Sequence, residues 1–382
     1  MGGRTIAILG GGQLGRMFIE NALRYDVRIE VLDPDPEAPC ARLAHRFVAG
    51  DLQDRDTVIR FAREADVVGI EIEHVSVEAL EELKAMGKTV IPDPAVLRTI
   101  QDKGLQKSFY RDHNIPTSPF SLVGSPEELN DHDRLFPAFL KARRGGYDGR
   151  GVTAARDRDS VPDDWQWPSV LESMVDVDRE LAVLVVRDRA GRQVVYDPVE
   201  MVFDPKFNLV DHLRAPARIS DQQAKEARQL AQKVAEAFGE PGIYAVEMFL
   251  SRSGEILVNE TAPRAHNSGH HTIEACASSQ FDQLLRLYME WPLGDPTLRS
   301  SAAMINLVGA EGTGSPRIEG MKEILDHPGT FIHLYGKRQT RTGRKMGHVT
   351  VTANDQQQLD EAIAITRGNC RVVPMTSDPI KG

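Results

Sequence analysis

Thr5-Ile6-Ala7-Ile8-Leu9-Gly10-Gly11-Gly12-Gln13-Leu14-Gly15 is the stretch whose reading decides the fold class. A short apolar run that breaks into glycines reads as a buried strand entering a tight turn, and Arg16 to Leu23 continues as a helix. A second strand, Arg28 to Leu32, completes a βαβ opening. Val67 to Ile72 and Thr89 to Ile91 repeat the rhythm around an amphipathic helix from Val77 to Met86, so residues 1–100 are expected to form a parallel, Rossmann-like α/β layer. The glycines satisfy G-x-G-x-x-G between strand and helix, and Asp33 stands at the spacing of a ribose-binding acid. Alone, that pattern suggests an NAD-dependent dehydrogenase. Its physical content is broader: amides at a helix N-terminus hold some anion, a dinucleotide or a sugar phosphate, unless the glycines only make a tight turn.

Beyond Ser118 the pattern changes to strands and hairpins. Ser125-Pro126-Glu127-Glu128 reads as a helix start with Ser as N-cap and a capping box. Phe139 to Ala142, Ser169 to Glu172, Leu181 to Val186 and Gln193 to Tyr196 read as strands in an antiparallel region. Asp221 to Phe238 has helical apolar spacing at Leu230, Val234 and Ala237. The strands Ile243 to Leu250 and Glu255 to Asn259 follow, joined across Ser251-Arg252-Ser253-Gly254, and a last βα piece runs from Ala303 onward.

Composition narrows the functional classes. The 382 residues, 41% apolar with 31 glycines, allow two or three domains with a large core. Lys plus Arg number 46 against 56 Asp plus Glu, a net charge of −10 that disfavours nucleic acid as a partner. Cys40, Cys276 and Cys370 are isolated, which fits a reducing, cytoplasmic compartment. The run Ile6 to Leu9 is too short for a signal peptide, and no apolar stretch is long enough to cross a membrane.

The second glycine loop is the more informative. Lys141-Ala142-Arg143-Arg144-Gly145-Gly146-Tyr147-Asp148-Gly149-Arg150-Gly151 places four cations and four glycines directly after a strand. Such a loop can fold its amides over a polyphosphate while Lys141 reaches the phosphate oxygens; the alternative is an exposed basic hairpin. Strand pairing across a turn between Arg252 and Ser253 sets Glu247 opposite Val258, with Glu260 one pair further along the same face. Two carboxylates converging there, with Asn259 at the strand end, suit a hard cation such as Mg²⁺ that also takes phosphate oxygens; a salt-bridge ladder is the competing reading. Arg264, His266, Asn267, Ser268, His270 and His271 follow on a stiff loop, short donors suited to a small anion, with zinc as competitor. Lys337, Arg338, Arg341, Arg344 and Lys345, around a Thr342-Gly343 turn, make either a patch for an anionic substrate or a solvated basic hairpin.

Together, Gly10 to Arg16, Glu71-Ile-Glu-His-Val75, the Gly145 to Gly151 loop, Asn259 to His270 and Gly343-Arg-Lys-Met-Gly-His348 resemble, in order and over nearly the whole chain, the N5-carboxyaminoimidazole ribonucleotide synthases of the ATP-grasp superfamily. The resemblance implies an α+β ATP-grasp fold: an N-terminal domain over 1–100, an ATP-grasp domain over 101–300 with a lid at about 115–180, and a small β-rich C-terminal domain over 301–382. It implies a cytoplasmic, usually dimeric purine-biosynthesis enzyme using ATP, bicarbonate and Mg²⁺, with Mn²⁺ as substitute. That enzyme carboxylates the exocyclic amine of 5-aminoimidazole ribonucleotide and releases ADP and phosphate. The nucleotide residues implied are Lys103, Lys141, Gly146, Tyr147, Asp148, Gly149, Arg150, Gly151, Val152, Glu172, Ser173, Met174, Val175, Glu180, Asn259 and Glu260, and the metal ligands Glu247, Glu260 and Asn259. Arg264, His266, Asn267 and Ser268 resemble the bicarbonate and carboxyphosphate pocket. Substrate contacts implied are Gln13, Leu14, Glu71, Glu73, Tyr147, Asp148, Arg150, Lys337, Arg344 and Lys345. Two departures stand out: Asp102-Lys103 replaces the frequent Asp-Arg, and Glu200-Met-Val-Phe-Asp-Pro205 lacks the usual histidine near the nucleotide. The alternatives are a formate-dependent ribonucleotide transformylase, the dehydrogenase, and a non-catalytic nucleotide-binding protein.

Overall fold

The computed structural model describes residues 3–145, 151–205 and 209–375. Its N-terminal layer contains, in chain order, β1 (Thr5–Leu9), α1 (Gln13–Ala22), β2 (Arg28–Asp33), β3 (Arg46–Ala49), α2 (Arg55–Ala62), β4 (Val67–Ile70), α3 (Val77–Ala85), β5 (Thr89–Ile91) and α4 (Pro94–Ile100). The strands pair in parallel in the order β3-β2-β1-β4-β5. β1 and β4 are almost wholly apolar because helices cover both faces of the sheet. β4 stops at Ile70, two residues before the expected end, which releases Glu71 and Glu73 into a loop. The first glycine turn bends at Gly10, whose φ of +105° suits glycine, and a Cβ there would press on Glu71. Asp33 does not stand free to receive a ribose: its carboxylate accepts from the Gly11 amide at 2.6 Å and the Asp35 amide at 2.8 Å.

Next come α5 (Lys103–Asp112) and the strands β6 (Phe120–Val123), β7 (Ala138–Ala142), β8 (Val152–Ala155) and β9 (Ser169–Ser173), an antiparallel sheet ordered β6-β9-β7-β8. The expected capping box at Ser125 does not form. Pro126–Asp131 winds as a 3₁₀ turn without a side-chain cap, and the Glu128 carboxylate accepts from the Gly124 amide at 2.9 Å instead.

The largest sheet is built from β10 (Val177–Arg187), β11 (Gln193–Val195), β12 (Val199–Asp204), β13 (Leu209–Ala215), β14 (Gly242–Ser251) and β15 (Ile256–Ala262), with α6 (Asp221–Phe238) between β13 and β14. Then follow α7 (Thr272–Ala275), α8 (Gln280–Met289), β16 (Ser301–Val308), β17 (Thr313–Gly314), β18 (Pro316–Glu319), α9 (Met321–Leu325), β19 (Thr330–Leu334), β20 (Thr340–Arg341), β21 (Lys345–Ala353), α10 (Gln356–Asn369) and β22 (Arg371–Pro374). The order β15-β14-β10-β12-β13-β16-β21-β19 carries the sheet without a break into the C-terminal segment, with β11 paired to β10. α6 starts at a Ser220–Gln223 capping box and ends at Gly239 in the left-handed region. Its buried face is Ala227, Ala231, Val234 and Ala235; of the expected stripe only Val234 is fully covered, because small alanines let the helix sit close to the strands. α8 packs on α1 through an edge-to-face Phe18–Tyr288 pair, tying the N-terminal layer to the rest.

The basic segment differs from a simple hairpin. A turn does form, with Gly343 at φ +75° and the Arg344 amide donating to Arg341 O at 2.9 Å. β20, however, pairs with β17, and β21 pairs with β19 and β16, so residues 336–344 form a wide loop. Among the described residues no helix is long and apolar enough to cross a membrane.

Candidate active site

The site grows out of an irregularity in the β14–β15 pair. Leu250, Phe249 and Met248 face Ile256, Leu257 and Val258, but Glu247 faces Glu260 rather than its neighbour Asn259. Asn259 is thus one extra residue in β15, a β-bulge. Plain alternation would put Asn259 and Glu260 on opposite faces; the bulge lets both reach the same cleft. The sequence expectation of a diagonal approach is corrected here to direct opposition. The turn is also centred on Ser253 rather than between Arg252 and Ser253, with the Ser251 amide donating to Glu255 O and Gly254 at φ +90°.

Cations surround these carboxylates. Lys103 Nζ lies 3.0 Å from Glu260 Oε2, and Lys141 Nζ donates to Asn259 Oδ1 and to Glu172 Oε2, each at 3.1 Å. Glu260 keeps 47% of its side chain open to the cleft, whereas Glu247 keeps 15%. The Lys103 charge holds the Glu260 carboxyl below the usual range, while burial and the facing Glu260 push that of Glu247 up. Two opposed carboxylates, one reluctant to ionise, form a pair that a divalent cation would stabilise. No cluster of three or more His, Cys, Asp or Glu arranged for a metal occurs among the described residues, so any ion here would complete its shell with oxygens from Asn259, phosphate or water.

Among the residues expected at the nucleotide, Glu172 is 3% exposed and its Oε2 accepts from Ser118 Oγ at 2.9 Å and lies 3.0 Å from Lys107 Nζ. Its Oε1 is buried without a partner among the described residues. Lys107 also donates to Thr117 Oγ1 at 2.7 Å and Ser118 Oγ at 3.2 Å, and burial pulls its pKa down to about 8. Sequence reasoning missed Lys107, although it lies one helical turn from Lys103. Ser173 turns its hydroxyl to Leu135 O at 2.9 Å, Met174 is exposed, Val175 is half-buried, and Glu180 is half-buried with its carboxyl pushed up to about 7 by desolvation. Gly151 and Val152 flank the second glycine loop, where Val152 pairs with Lys141. Gly146, Tyr147, Asp148, Gly149 and Arg150 lie outside the described residues. Two of that loop's four cations have another use: Arg143 makes a two-pronged contact with the helix-capping Asp102, 2.8 Å on each arm, and Arg144 lies 3.4 Å from it. Glu200, in the segment lacking the family histidine, is bound to Arg179 and Arg218 at 2.8 and 3.0 Å.

The Arg264–Ser268 loop, expected to take a small anion, lies beside the carboxylates. Arg264 Nε is 2.8 Å from Glu73 Oε2. His266 Nδ1 accepts from the Ser268 amide at 3.3 Å, which leaves Nε2 to carry the proton toward Glu247 Oε1 at 3.5 Å. Burial and the nearby Arg264 and Lys345 charges pull the His266 pKa down to about 3, so the ring is neutral at pH 7. Asn267 and Asn306 exchange amide hydrogen bonds at 3.0 and 3.1 Å. Lys337 donates to Lys345 O and Arg344 to Gln339 O, each at 2.8 Å, and Arg338 pairs with Glu37 of the N-terminal layer. Gln13 and Leu14 open α1, where Glu71 Oε1 accepts from the Leu14 amide at 3.0 Å. With Asp33 on Gly11, two protein carboxylates therefore engage the turn expected to hold a phosphate.

Burial pushes the Glu71 pKa up to about 7, partly offset by Arg264 and the Leu14 amide. A carboxyl raised on folding keeps its proton better in the folded state, so its contribution to stability falls as pH rises from about 4.5 through about 7. Glu71→Gln should accordingly flatten the decline in urea midpoint of the ligand-free protein between pH 5 and 8. Parallel curves for variant and wild type would show that Glu71 is not the group responsible.

Comparison with known proteins places the chain in a family. Residues 3–101 match the ribonucleotide synthetase preATP-grasp domain, 108–281 the ATP-grasp domain and 302–362 the phosphoribosylaminoimidazole carboxylase C-terminal domain. The N5-carboxyaminoimidazole ribonucleotide synthase of Brucella melitensis biotype 1 is 37% identical over 362 residues, covering 91% of this chain and 96% of the relative. The N5-carboxyaminoimidazole ribonucleotide synthetase of Thermotoga maritima has a similar crystal structure, with a TM-score of 0.89 and 38% identity over 97% of this chain and 100% of that one. So does the Aspergillus clavatus N5-carboxyaminoimidazole synthase in complex with ADP and 5-aminoimidazole ribonucleotide: TM-score 0.85, 34% identity, 96% of this chain and 97% of the other. Domain order, identity and coverage agree, and the chain belongs to the N5-carboxyaminoimidazole ribonucleotide synthase family of ATP-grasp ligases.

Proposed function

We propose that this chain couples the cleavage of ATP to the carboxylation of 5-aminoimidazole ribonucleotide by bicarbonate, releasing ADP and phosphate. The observation that carries this reading is the opposed pair Glu247 and Glu260, flanked by Lys103 and Lys141 and bordered by the Arg264–Ser268 loop. A nucleotide polyphosphate needs the first set and a small oxyanion the second. Bound at Glu247, Glu260 and Asn259, Mg²⁺ would neutralise phosphate charge.

Bicarbonate is a poor electrophile. Its oxygen attacks the γ-phosphorus, ADP departs, and carboxyphosphate results, with Lys103 and Lys141 balancing the charge of the transferred group. Arg264, held by Glu73, and the neutral His266, donating through Nε2, orient the bicarbonate. The amine of the ribonucleotide then attacks the carboxyl carbon, phosphate leaves, and the amine proton passes to the departing phosphate. Glu172 Oε1, a buried acceptor in search of a donor, suits the adenine amine. In keeping with the family resemblance, we take the protein to be a cytoplasmic homodimer.

Phosphate release measured with ATP, bicarbonate and 5-aminoimidazole ribonucleotide, each omitted in turn, tests the reading. Full turnover without bicarbonate but with formate would overturn it in favour of a transformylase. The basic loop supplies a second check. A charge-assisted hydrogen bond to phosphate contributes about 1.5–3 kcal/mol, so Arg344→Ala should lower kcat/KM for the ribonucleotide by about tenfold or more and leave that for ATP nearly unchanged. An equal loss for both substrates would move this cation to the nucleotide.

A further inference from the structure

The Arg264–Ser268 loop is tied at Arg264 to Glu73 and at Asn267 to Asn306 of β16, yet neither contact fixes the backbone of His266, which must sit within reach of Glu247. What holds it is Gln280, the first residue of α8, which is fully buried and was not singled out by any motif. Its Oε1 accepts from the His266 amide at 2.9 Å and its Nε2 donates to the His266 carbonyl at 2.9 Å, a two-point grip on one residue's backbone. The second Nε2 hydrogen goes to His270 Nδ1 at 3.0 Å, so both amide donors are used. The backbone of Gln280 is held in turn: its amide donates to Thr272 Oγ1 at 2.9 Å, and that hydroxyl donates to Gly269 O at 2.5 Å. Gly269 leaves the space the grip needs, since a Cβ there would overlap Gln280 Oε1 and Leu184 Cδ1.

The grip reaches further. The His270 ring stacks on His348 at 4.7 Å between centroids, and His348 Nδ1 bonds Tyr335 Oη at 3.0 Å. His348 belongs to β21, the strand that begins with Lys345. One buried amide thus registers the anion loop against both α8 and the strand bearing a substrate cation. A polar side chain this deep is retained at a cost unless each of its groups is matched, and here each is.

We infer that Gln280 is a positioning residue for the carboxylation step, clamping the His266 backbone so that the anion pocket keeps bicarbonate and the carboxyphosphate made from it until the amine attacks. The inference rests on the function proposed above. A group that only stabilises the fold would change the amount of active enzyme; a clamp on the intermediate's pocket changes the fate of the intermediate, because a loosened pocket admits water and carboxyphosphate is hydrolysed.

The test compares ADP formed with carboxylated ribonucleotide formed, in wild type, Gln280→Leu and Gln280→Glu. Leucine keeps approximate volume and removes every side-chain bond; an ionised glutamate keeps the acceptor for the His266 amide and loses both donors. In Gln280→Leu, ADP should exceed product by about threefold or more and KM for bicarbonate should rise about tenfold, with KM for ATP within about twofold of wild type. Gln280→Glu should fall between the two. Tight one-to-one coupling in a folded variant would overturn the clamp, as would equal losses for all substrates, and so would failure of both variants to fold, which would make Gln280 a folding element. If wild type itself shows no bicarbonate-dependent ADP formation, it is the proposed function that fails.

Discussion

Glu260→Gln should reduce turnover by at least about a hundredfold while leaving the protein folded. The substitution keeps the side-chain volume but removes the charge paired with Lys103, and the facing Glu247 is a poor substitute because burial raises its pKa. Glu247→Gln should lose activity on the same scale with the opposite effect on stability. Removing a buried carboxyl that resists ionisation beside another carboxylate should stabilise the ligand-free protein by about 1 kcal/mol, whereas Glu260→Gln leaves Lys103 without its partner and should not. Steady-state kinetics at saturating Mg²⁺, with thermal unfolding of the same preparations, separates the two. Near wild-type turnover in both variants would exclude these residues as metal ligands.

Lys141→Met should lower kcat/KM for ATP by about 10- to 150-fold, the equivalent of losing one charge-assisted hydrogen bond worth about 1.5–3 kcal/mol. Methionine preserves the unbranched stem on β7. Glu172, which also contacts Lys141, retains Lys107 and Ser118 as partners, so the strand should hold its place. KM for the ribonucleotide should change little. A loss confined to the ribonucleotide would mean that Lys141 serves the other substrate, and an unaltered ATP response would remove it from the nucleotide site.

Local signals in the sequence were sufficient for much of the fold. The run Thr5 to Leu9 is a strand with the expected limits, and Asp221 to Phe238 is a helix with the expected limits, because each element carries its own periodicity and start or stop residues. Pairing between distant segments was not legible. Nothing in Leu209–Ala215 announces that Ser301–Val308 will lie beside it, so the continuity of the central sheet into the C-terminal segment emerged only with the structure. In the site, residue types indicated the carboxylates and the anion loop. They could not tell that Asp102 would claim Arg143 and Arg144, or that Asp33 and Glu71 would occupy amides of the first glycine turn, since each outcome depends on partners more than twenty residues away. Gln280 left no sequence signal, as a buried amide acquires its role only from the backbone it meets.

The extra residue in β15 also changes what an insertion or deletion would do. Alternation along a strand is a matter of parity, and Asn259 is where the count changes from even to odd. Deleting Asn259 would remove one oxygen from the cleft yet leave the pairs in phase, since Val258 would still face Met248 and Glu260 would still face Glu247. Deleting the paired Leu257 instead would absorb the bulge with Asn259 opposite Met248, on the buried side, and so take its oxygen out of the cleft. A substitution at 259 edits one acceptor, whereas losing a paired residue of the strand changes which side chains share the cleft.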